Sequence, residues 1–353
     1  MADGGRKRLG AVGGLLAGAV FASGIGLYAT DSWPFRDSYC WGAWQENSGA
    51  RFLGEDVLGE SADRGSEESA PPSAERPRAT CTVAVRSTVD DNDSDQPLEF
   101  EDKVTVEYGP VPEKAEARHA WLARYFHGSA SPLPDGLDGL VAGDRAMLVL
   151  PEACDVDGRP SVVTIRSEGW GDGHLGKLAM PFTIGTYSAV ARMLLDVANT
   201  GMAEAGCAPG EPLRTTSPLV TVAEDGEPAG KPLCRIAGVE FDFGSEAHYE
   251  QQAGAVTPGL QTCSVVRKSR GEPDEPAAQY VMAGGPRMTA LFGGLPEGTA
   301  HGLTRTTCDG RQTVFYGHVL GGLAGDKAAA ERSFENFVAS VGNRIGCETG
   351  GRA

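Results

Sequence analysis

The eight cysteines of this 353-residue chain fall into two sets of four that stand in matching sequence contexts. In each set the second cysteine opens a strand-like stretch, the third precedes Asp-Gly-Arg, and the fourth follows an amphipathic segment. The first set is Cys40, Cys81, Cys154 and Cys207, and the second set is Cys234, Cys263, Cys308 and Cys347. Because four landmarks recur in one order, the sequence predicts two copies of one fold.

The number and spacing of these cysteines favour disulfides over zinc or redox chemistry, since each half holds an even number and no C-x-x-C pair occurs. We predict that the first cysteine of each half bonds to the second, and the third to the fourth. This pairing would join two strands and then fasten a helix to a hairpin, although the other pairings within a half stay open. Disulfides persist in oxidising compartments, so we expect this part of the chain outside the cytoplasm.

The amino terminus has the pattern of a membrane anchor. Basic residues at positions 6–8 precede an uncharged run over residues 9–30, which is long enough to cross a hydrocarbon core of about 30 Å. We therefore predict a cytoplasmic tail at 1–8, one transmembrane helix at 9–30 and an extracytoplasmic remainder. A cleaved signal peptide is the alternative, although Leu27-Tyr28-Ala29 fits a small-x-small cleavage site poorly.

A stripe of small residues runs along the predicted anchor helix, where another helix backbone could approach closely. Its members recur at every fourth position and are Gly10, Gly14, Gly18, Ala22 and Gly26. The stripe predicts a homodimer or an envelope protein partner bound within the membrane. The alternative is that a composition rich in Gly and Ala produces such a stripe without any pairing.

The extracytoplasmic part is predicted to form two tandem related α+β domains, at residues 31–210 and 211–350. Each would be an antiparallel sheet with a packed C-terminal amphipathic helix and two disulfides. Residues 55–80 are acidic and poor in large apolar side chains, which predicts a disordered loop within the first domain. Residues 208–231 are the predicted connection between the domains.

Individual elements follow from periodicity and turn residues. Alternation over residues 98–108 predicts a strand with one buried face, and residues 113–127 have the pattern of a helix without a clear equivalent in the second half. Asp157-Gly158 and Asp309-Gly310 predict two hairpins. Val239, Phe241 and Phe243 alternate as in another strand. Helical spacing relates Phe334, Phe337, Val338, Val341 and Ile345, and also Leu194, Val197, Ala198, Gly201 and Ala205.

The bulk composition limits the classes of partner. The formal net charge of −17 repels nucleic acid and anionic lipid headgroups. With 49 Gly and more Arg than Lys, the chain resembles the many uncharacterised membrane-anchored extracytoplasmic proteins of high-GC actinobacteria. This resemblance covers the composition and layout of the whole chain and implies a cell-envelope location.

One loop is a candidate ligand contact. Residues 168–182 have no counterpart in the second half and place Trp170 and His174 on a Gly-rich backbone. An ordinary surface loop is the alternative. The G-x-G-x-x-G pattern within the loop follows a predicted strand, but it lacks the directly following helix and the βαβ alternation of a nucleotide site. Asp91, Asp93 and Asp95 alternate as in a calcium loop, but the Gly and Glu of that motif are missing, which favours a polar turn.

We assign no catalytic residue, no metal ligand and no cofactor from the sequence. His127, close to a predicted helix end, is interpreted as a cap that suits the helix dipole. The function predicted best is that of a membrane-anchored extracytoplasmic binding or scaffold protein of the cell envelope. The alternatives are an accessory subunit of a membrane complex and an enzyme acting on an envelope substrate.

Overall fold

The computed structural model describes residues 38–48, 50–54, 62–89, 97–171, 180–223, 226–243, 248–268, 275–320, 323 and 325–347. The predicted tail at 1–8, the predicted anchor at 9–30 and its small-residue stripe lie outside these residues. Within them, none of the helices combines the length and the apolar character that crossing a membrane requires.

The first half contains strands β1 to β9 and two helices. They are β1 (Ser38–Tyr39), β2 (Trp44–Gln45), β3 (Ala62–Glu68), β4 (Ala79–Val89), β5 (Leu98–Pro110), α1 (Ala115–Tyr125), β6 (Ser131–Pro132), β7 (Gly139–Val141), β8 (Arg145–Val149), β9 (Ser161–Gly171) and α2 (Tyr187–Ala205). The second half contains β10 (Glu227–Pro228), β11 (His248–Ala253), β12 (Leu260–Lys268), β13 (Glu275–Gly284), α3 (Pro286–Ala290), β14 (Leu303–Cys308), β15 (Arg311–Val319) and α4 (Lys327–Arg344).

Two large antiparallel sheets and a small two-stranded sheet of β1 and β2 organise these elements, so the predicted α+β class is confirmed. Sheet 1 has the strand order β3-β4-β5-β9-β8-β7-β6, and sheet 2 has the order β10-β11-β12-β13-β15-β14. In each sheet a three-strand meander is followed by a helix and then by a hairpin whose second strand pairs with the third strand of the meander. A longer helix then ends each half and packs on its sheet.

The predicted disulfide pairing is confirmed in both halves. In each half one bond joins the first cysteine to the second strand of the meander, and the other joins the hairpin to the end of the last helix. The bonds are Cys40–Cys81 at 2.01 Å, Cys154–Cys207 at 1.96 Å, Cys234–Cys263 at 1.99 Å and Cys308–Cys347 at 1.98 Å. No described cysteine is left as a free thiol.

The halves also agree in backbone detail around their first cysteines. Cys40 and Cys234 both adopt a left-handed conformation, with φ of 52° and 47°. In each case a side chain from the first long strand of the sheet accepts the cysteine N–H. The acceptor is Glu68 of β3 at 3.0 Å in the first half and Gln251 of β11 at 2.8 Å in the second.

The two predicted hairpins form around Asp-Gly turns. Asp157 and Gly158 have φ of 52° and 69°, and Asp309 and Gly310 have φ of 47° and 73°. Positive φ at both central residues matches the right-handed twist of the flanking strands, which is why Asn-Gly and Asp-Gly are favoured there. The hairpins therefore link β8 to β9 and β14 to β15 as expected.

The helices that end the two halves bury the faces predicted from their periodicity. On α2, Leu194, Val197, Ala198 and Gly201 are buried, and on α4, Phe334, Phe337 and Val341 are buried. The hydroxyl of Thr186 caps α2, the carboxylate of Asp326 caps α4, and left-handed Gly206 ends α2. Each helix covers the outer face of its own sheet.

The inner faces of the two sheets share a third apolar core. It combines residues of α1 and sheet 1 with residues of α3 and sheet 2, including Leu122, Phe126, Val281, Phe292 and Tyr316. The described residues from Tyr39 onward form one compact unit. The predicted domains at 31–210 and 211–350 therefore share a core, and we call the packing between them the seam.

The prediction of a disordered loop at 55–80 is wrong for its second part, because Ala62–Glu68 forms β3 and pairs along its whole length with β4. Polar contacts replace the apolar burial that this segment lacks. The buried guanidinium of Arg64 donates to Glu46 at 3.1 Å and to the carbonyl of Gly54 at 2.6 Å. Residues 55–61 lie outside the described residues.

Two further expectations need correction. Val239, Phe241 and Phe243 do not form a strand, because the first two are buried in an irregular segment that packs on the core beneath α4. The second half does have a counterpart of the predicted helix at 113–127: the short α3 follows β13 as α1 follows β5. A helix of five residues is too short for periodicity to reveal.

The connection between the halves is fastened to the first half. The side chain of Asn199 on α2 exchanges two hydrogen bonds with the backbone of Leu213, at 2.9 and 2.8 Å. The carboxylate of Asp135 accepts from the backbone N–H groups of Thr216 and Ser217, at 2.5 and 3.0 Å. The segment at 208–223 is therefore an irregular strap on sheet 1 and not a free linker.

Removing the Cys154–Cys207 bond should destabilise the protein without changing its fold. The bond closes a loop with a sequence separation of 53 residues. Loop-closure entropy predicts that the double variant C154A/C207A loses about 3 to 4 kcal/mol in the free energy of unfolding, measured by urea unfolding of the full-length protein in detergent. If only the single variants C154A and C207A were destabilised, the free thiol would be the cause and the prediction would fail.

Candidate functional site

The ligand loop predicted from the sequence is only partly within the described residues. Trp170 is half-buried on β9, where it pairs with Glu101 of β5. The backbones of Gly169 and Met180 exchange two hydrogen bonds, at 2.7 and 2.9 Å, which close the base of the loop. His174 lies outside the described residues, as do Asp91, Asp93 and Asp95. A ligand contact through Trp170 and His174 therefore stays a prediction.

The structure places a different group of side chains together, at the seam. Helix α1 of the first half lies against β15 of the second half, and His119 of α1 stacks on His318 of β15. Their ring centroids are 5.1 Å apart and the rings are inclined by 12°. Nδ1 of His119 also shares a hydrogen bond with the hydroxyl of Tyr316, at 2.8 Å. We call these three residues and His127 the histidine cluster.

The surroundings of the histidine cluster keep its imidazoles uncharged at neutral pH. Burial lowers the pKa of His119, and burial together with the neighbouring His119 lowers the pKa of His318. Burial, reinforced by the positive charge of Arg145 and partly opposed by Asp144, lowers the pKa of His127 to about 4. A neutral His127 does not complement the helix dipole by charge, and its interpretation as a cap at the end of α1 stays a prediction.

His127 and Gln279 bring two unpaired polar atoms to the seam. Nδ1 of His127 and Oε1 of Gln279 are buried without a hydrogen-bond partner. Both residues, with His318 and Ser264, line a small cavity of about 20 Å³ between α1 and sheet 2. A space of this size holds about one water molecule, so the cavity suits a bridging water and not a larger ligand.

Three arginines close the seam by donating to backbone carbonyls across or beside it. Arg118 of α1, only 3% exposed, donates to the carbonyls of Leu291 and Gly293 at 2.7 and 3.2 Å. Arg287 of α3 makes a two-pronged ion pair with Asp155 at 2.6 and 2.7 Å and also donates to the carbonyl of Leu150. Arg145 donates to the carbonyl of His127. The contacts of Arg118 and Arg287 fasten the two halves to each other, whereas the contact of Arg145 lies within the first half.

Two open grooves flank α4 in the second half. One, of about 210 Å³, is bounded by His318, His301, Lys327 and Glu331. The other, of about 470 Å³, lies between α4 and the irregular segment that contains Phe241. Since His318 lines both the first groove and the small cavity, the histidine cluster is within reach of solvent at this edge of the seam.

The chemistry available to the histidine cluster is limited. His119 has a tyrosine hydroxyl as its partner, and burial raises the pKa of Tyr316, so this hydroxyl is not a ready proton donor. Among the residues that the structure describes, no histidine has a serine hydroxyl or a cysteine thiol as hydrogen-bond partner, and no three His, Cys, Asp or Glu side chains converge as metal ligands.

Periodicity could not have found this site, because His119 and His318 belong to different halves. A weak signal was present in the sequence, since α1 carries an arginine and a histidine at consecutive positions beside its apolar residues. The comparisons with known proteins add no information: no protein-family model, no curated protein and no solved structure matches this chain.

Breaking the ion pair of Arg287 and Asp155 should loosen the seam. Both side chains are 18% exposed, and R287A would leave a largely buried carboxylate and the carbonyl of Leu150 without their donor. We expect a loss of about 3 kcal/mol in the free energy of unfolding, measured by urea unfolding.

The matched control is R86A, which breaks the pair of Arg86 and Glu101 on the open face of sheet 1. The Arg86 side chain is 59% exposed, so we expect a loss below about 1 kcal/mol. Equal losses in the two variants would contradict a special role for the Arg287 contact.

Proposed function

We propose that this chain is a membrane-anchored extracytoplasmic protein that binds or organises partners in the cell envelope. The observation that carries the proposal is the set of four disulfides with no free thiol among the described cysteines. Disulfides of this kind are typical of proteins outside the cytoplasm. The basic residues and uncharged run at positions 6–30 supply the anchor that the proposal needs.

The two halves are best explained as copies of one unit. They share strand order, both disulfide positions, the Asp-Gly hairpins and the left-handed backbone at their first cysteines. We infer an internal duplication whose two copies became joined through the seam. A body of this kind offers two similar outer surfaces, which suits a scaffold.

The surface charge favours partners of a particular kind. The excess of acidic residues, expressed in the net charge of −17, repels nucleic acid and anionic headgroups and attracts basic proteins and cations. A partner in the envelope would therefore present basic groups. An accessory role in a membrane complex is the second candidate, and it is favoured by the small residues of the anchor from Gly10 to Gly26.

The proposed location can be tested on sealed spheroplasts of cells that make the full-length protein. Added protease should digest the disulfide-bonded body while a cytoplasmic marker stays intact. Mass spectrometry of the membrane-retained fragment should recover the peptide with residues 6–8, because the anchor is not cleaved. Protection of the body would refute the extracytoplasmic location, and loss of that peptide would support a cleaved signal peptide.

The binding role can be tested by crosslinking in intact cells, followed by identification of the captured proteins. We expect the same envelope protein to be captured repeatedly, and capture to be lost when the body is removed. The variant G14L/G18L separates the two candidate roles, because it should abolish capture only if the anchor helix makes the contact. The control is A19L, which adds a similar side chain beside the stripe. Capture of nothing besides this chain would contradict both roles.

A further inference from the structure

Half of the histidines of this chain meet at the seam. His119, His127 and His318 lie between α1 and sheet 2, whereas His248 and His301 are exposed and His174 lies outside the described residues. The close stacking of His119 on His318 joins the two halves directly, and the unpaired Nδ1 of His127 belongs to the same cluster. A contact between stacked imidazole rings is stable only while the rings are uncharged.

The charged groups around the cluster offset an added proton only in part. His127 faces Arg145 and Asp144 of the first half, and these two are already paired with each other at 2.6 Å. On the solvent side, His318 shares its groove with His301, Lys327 and Glu331 of the second half.

The two stacked rings face mainly neutral groups. Tyr316 and Phe292 pack beside them, and Gln279 is the polar neighbour from β13. Within the described part of the chain, no carboxylate lies within salt-bridge distance of the three imidazoles. Two imidazolium ions at 5.1 Å would repel each other, and the charge of Arg145 would add to the repulsion at His127.

We propose that the seam is a pH-sensitive latch, closed while His119, His127 and His318 are neutral and loosened when they take up protons. The latch would release α1 from β15, because these elements carry the stacked pair. The disulfides each lie within one half, so they would hold the halves intact while the contact between them weakens.

The direction of the shifts fixes the pH window. The folded structure lowers the pKa of all three histidines, to about 4 in the case of His127. The pKa of an unfolded histidine is about 6.5. The unfolded or open form therefore binds more protons in this range, and stability falls as the pH falls. The seam should be fully closed above about pH 6.5 and should weaken progressively from there down to about pH 4.

The test is hydrogen–deuterium exchange of the full-length protein in detergent at pH 7.5 and pH 5.0, corrected for the intrinsic pH dependence of exchange. We expect the corrected protection of peptides from α1 and β15 to drop at least tenfold at pH 5.0, while peptides from α2 change little. In the variant H119Q/H318Q, which keeps polar side chains of similar size, the drop should shrink to less than threefold.

The matched control removes two histidines outside the stacked pair. H248Q/H301Q should keep the full pH dependence, because both residues are exposed. Equal protection of wild-type α1 and β15 at the two pH values would overturn the proposal, and so would an unchanged drop in H119Q/H318Q.

If H119Q/H318Q did not fold, a histidine titration of the wild type would decide. We expect His119 and His318 to titrate below the pKa of about 6.5 that an unfolded histidine has. Titration of either ring at or above that value would overturn the latch.

Discussion

The burial of the inner faces of both sheets against each other is the constraint on which the rest of the structure depends. Each sheet has one face covered by its own long helix, α2 or α4, and an apolar area on its other face, formed by β7 to β9 in sheet 1 and by β12 to β15 in sheet 2. A sheet with apolar area on both faces must be covered on both sides. The halves therefore need each other, and α1 and α3 fill the space at the edges of their contact. Arg118 donates to backbone carbonyls that this burial would otherwise leave without a hydrogen-bond donor.

The covalent and non-covalent contacts of the molecule have separate roles. All four disulfides lie within a half, where they fasten the last helix and the entering chain to the sheet. The described contacts between the halves are all non-covalent. They comprise apolar packing, arginine contacts, the histidine cluster and further hydrogen bonds, such as the one from the N–H of Gly128 to the hydroxyl of Ser264 at 2.9 Å.

Much of this fold could be predicted from local sequence patterns. Val104, Val106 and Tyr108 alternate because β5 buries one face, and the Asp-Gly turns and capped helices follow equally local rules. The disulfide pairing could also be predicted from the sequence, because one pairing scheme had to suit both halves. Where prediction failed, a non-local contact was responsible. Strand β3 is ordered by ladder bonds and a buried Arg64, and the alternation of Val239 and Phe241 reflects burial beneath α4 and not strand pairing.

The seam itself could not be predicted, because periodicity shows that a face is buried and does not show what covers it. Arg118 and His119 follow Glu116 and Ala117 in a segment whose composition is typical of an exposed helix surface. Arg118 is nevertheless among the most buried charged side chains of the described residues. The candidate loop at Trp170 was suggested by composition and by its absence from the second half. The cluster that the structure brings together draws on both halves, which only the tertiary fold relates.

The strap at residues 208–223 has a consequence for how the halves behave when they part. Hydrogen bonds hold the strap on sheet 1 as far as Ser217, and Leu219 and Val222 still pack against the core of the first half. The chain from there to β10 is therefore a short tether. A short tether keeps the second half at a high effective concentration near the first, on the order of millimolar. An opened seam would therefore reclose on its own partner before either inner face met another molecule, which protects these apolar surfaces from aggregation.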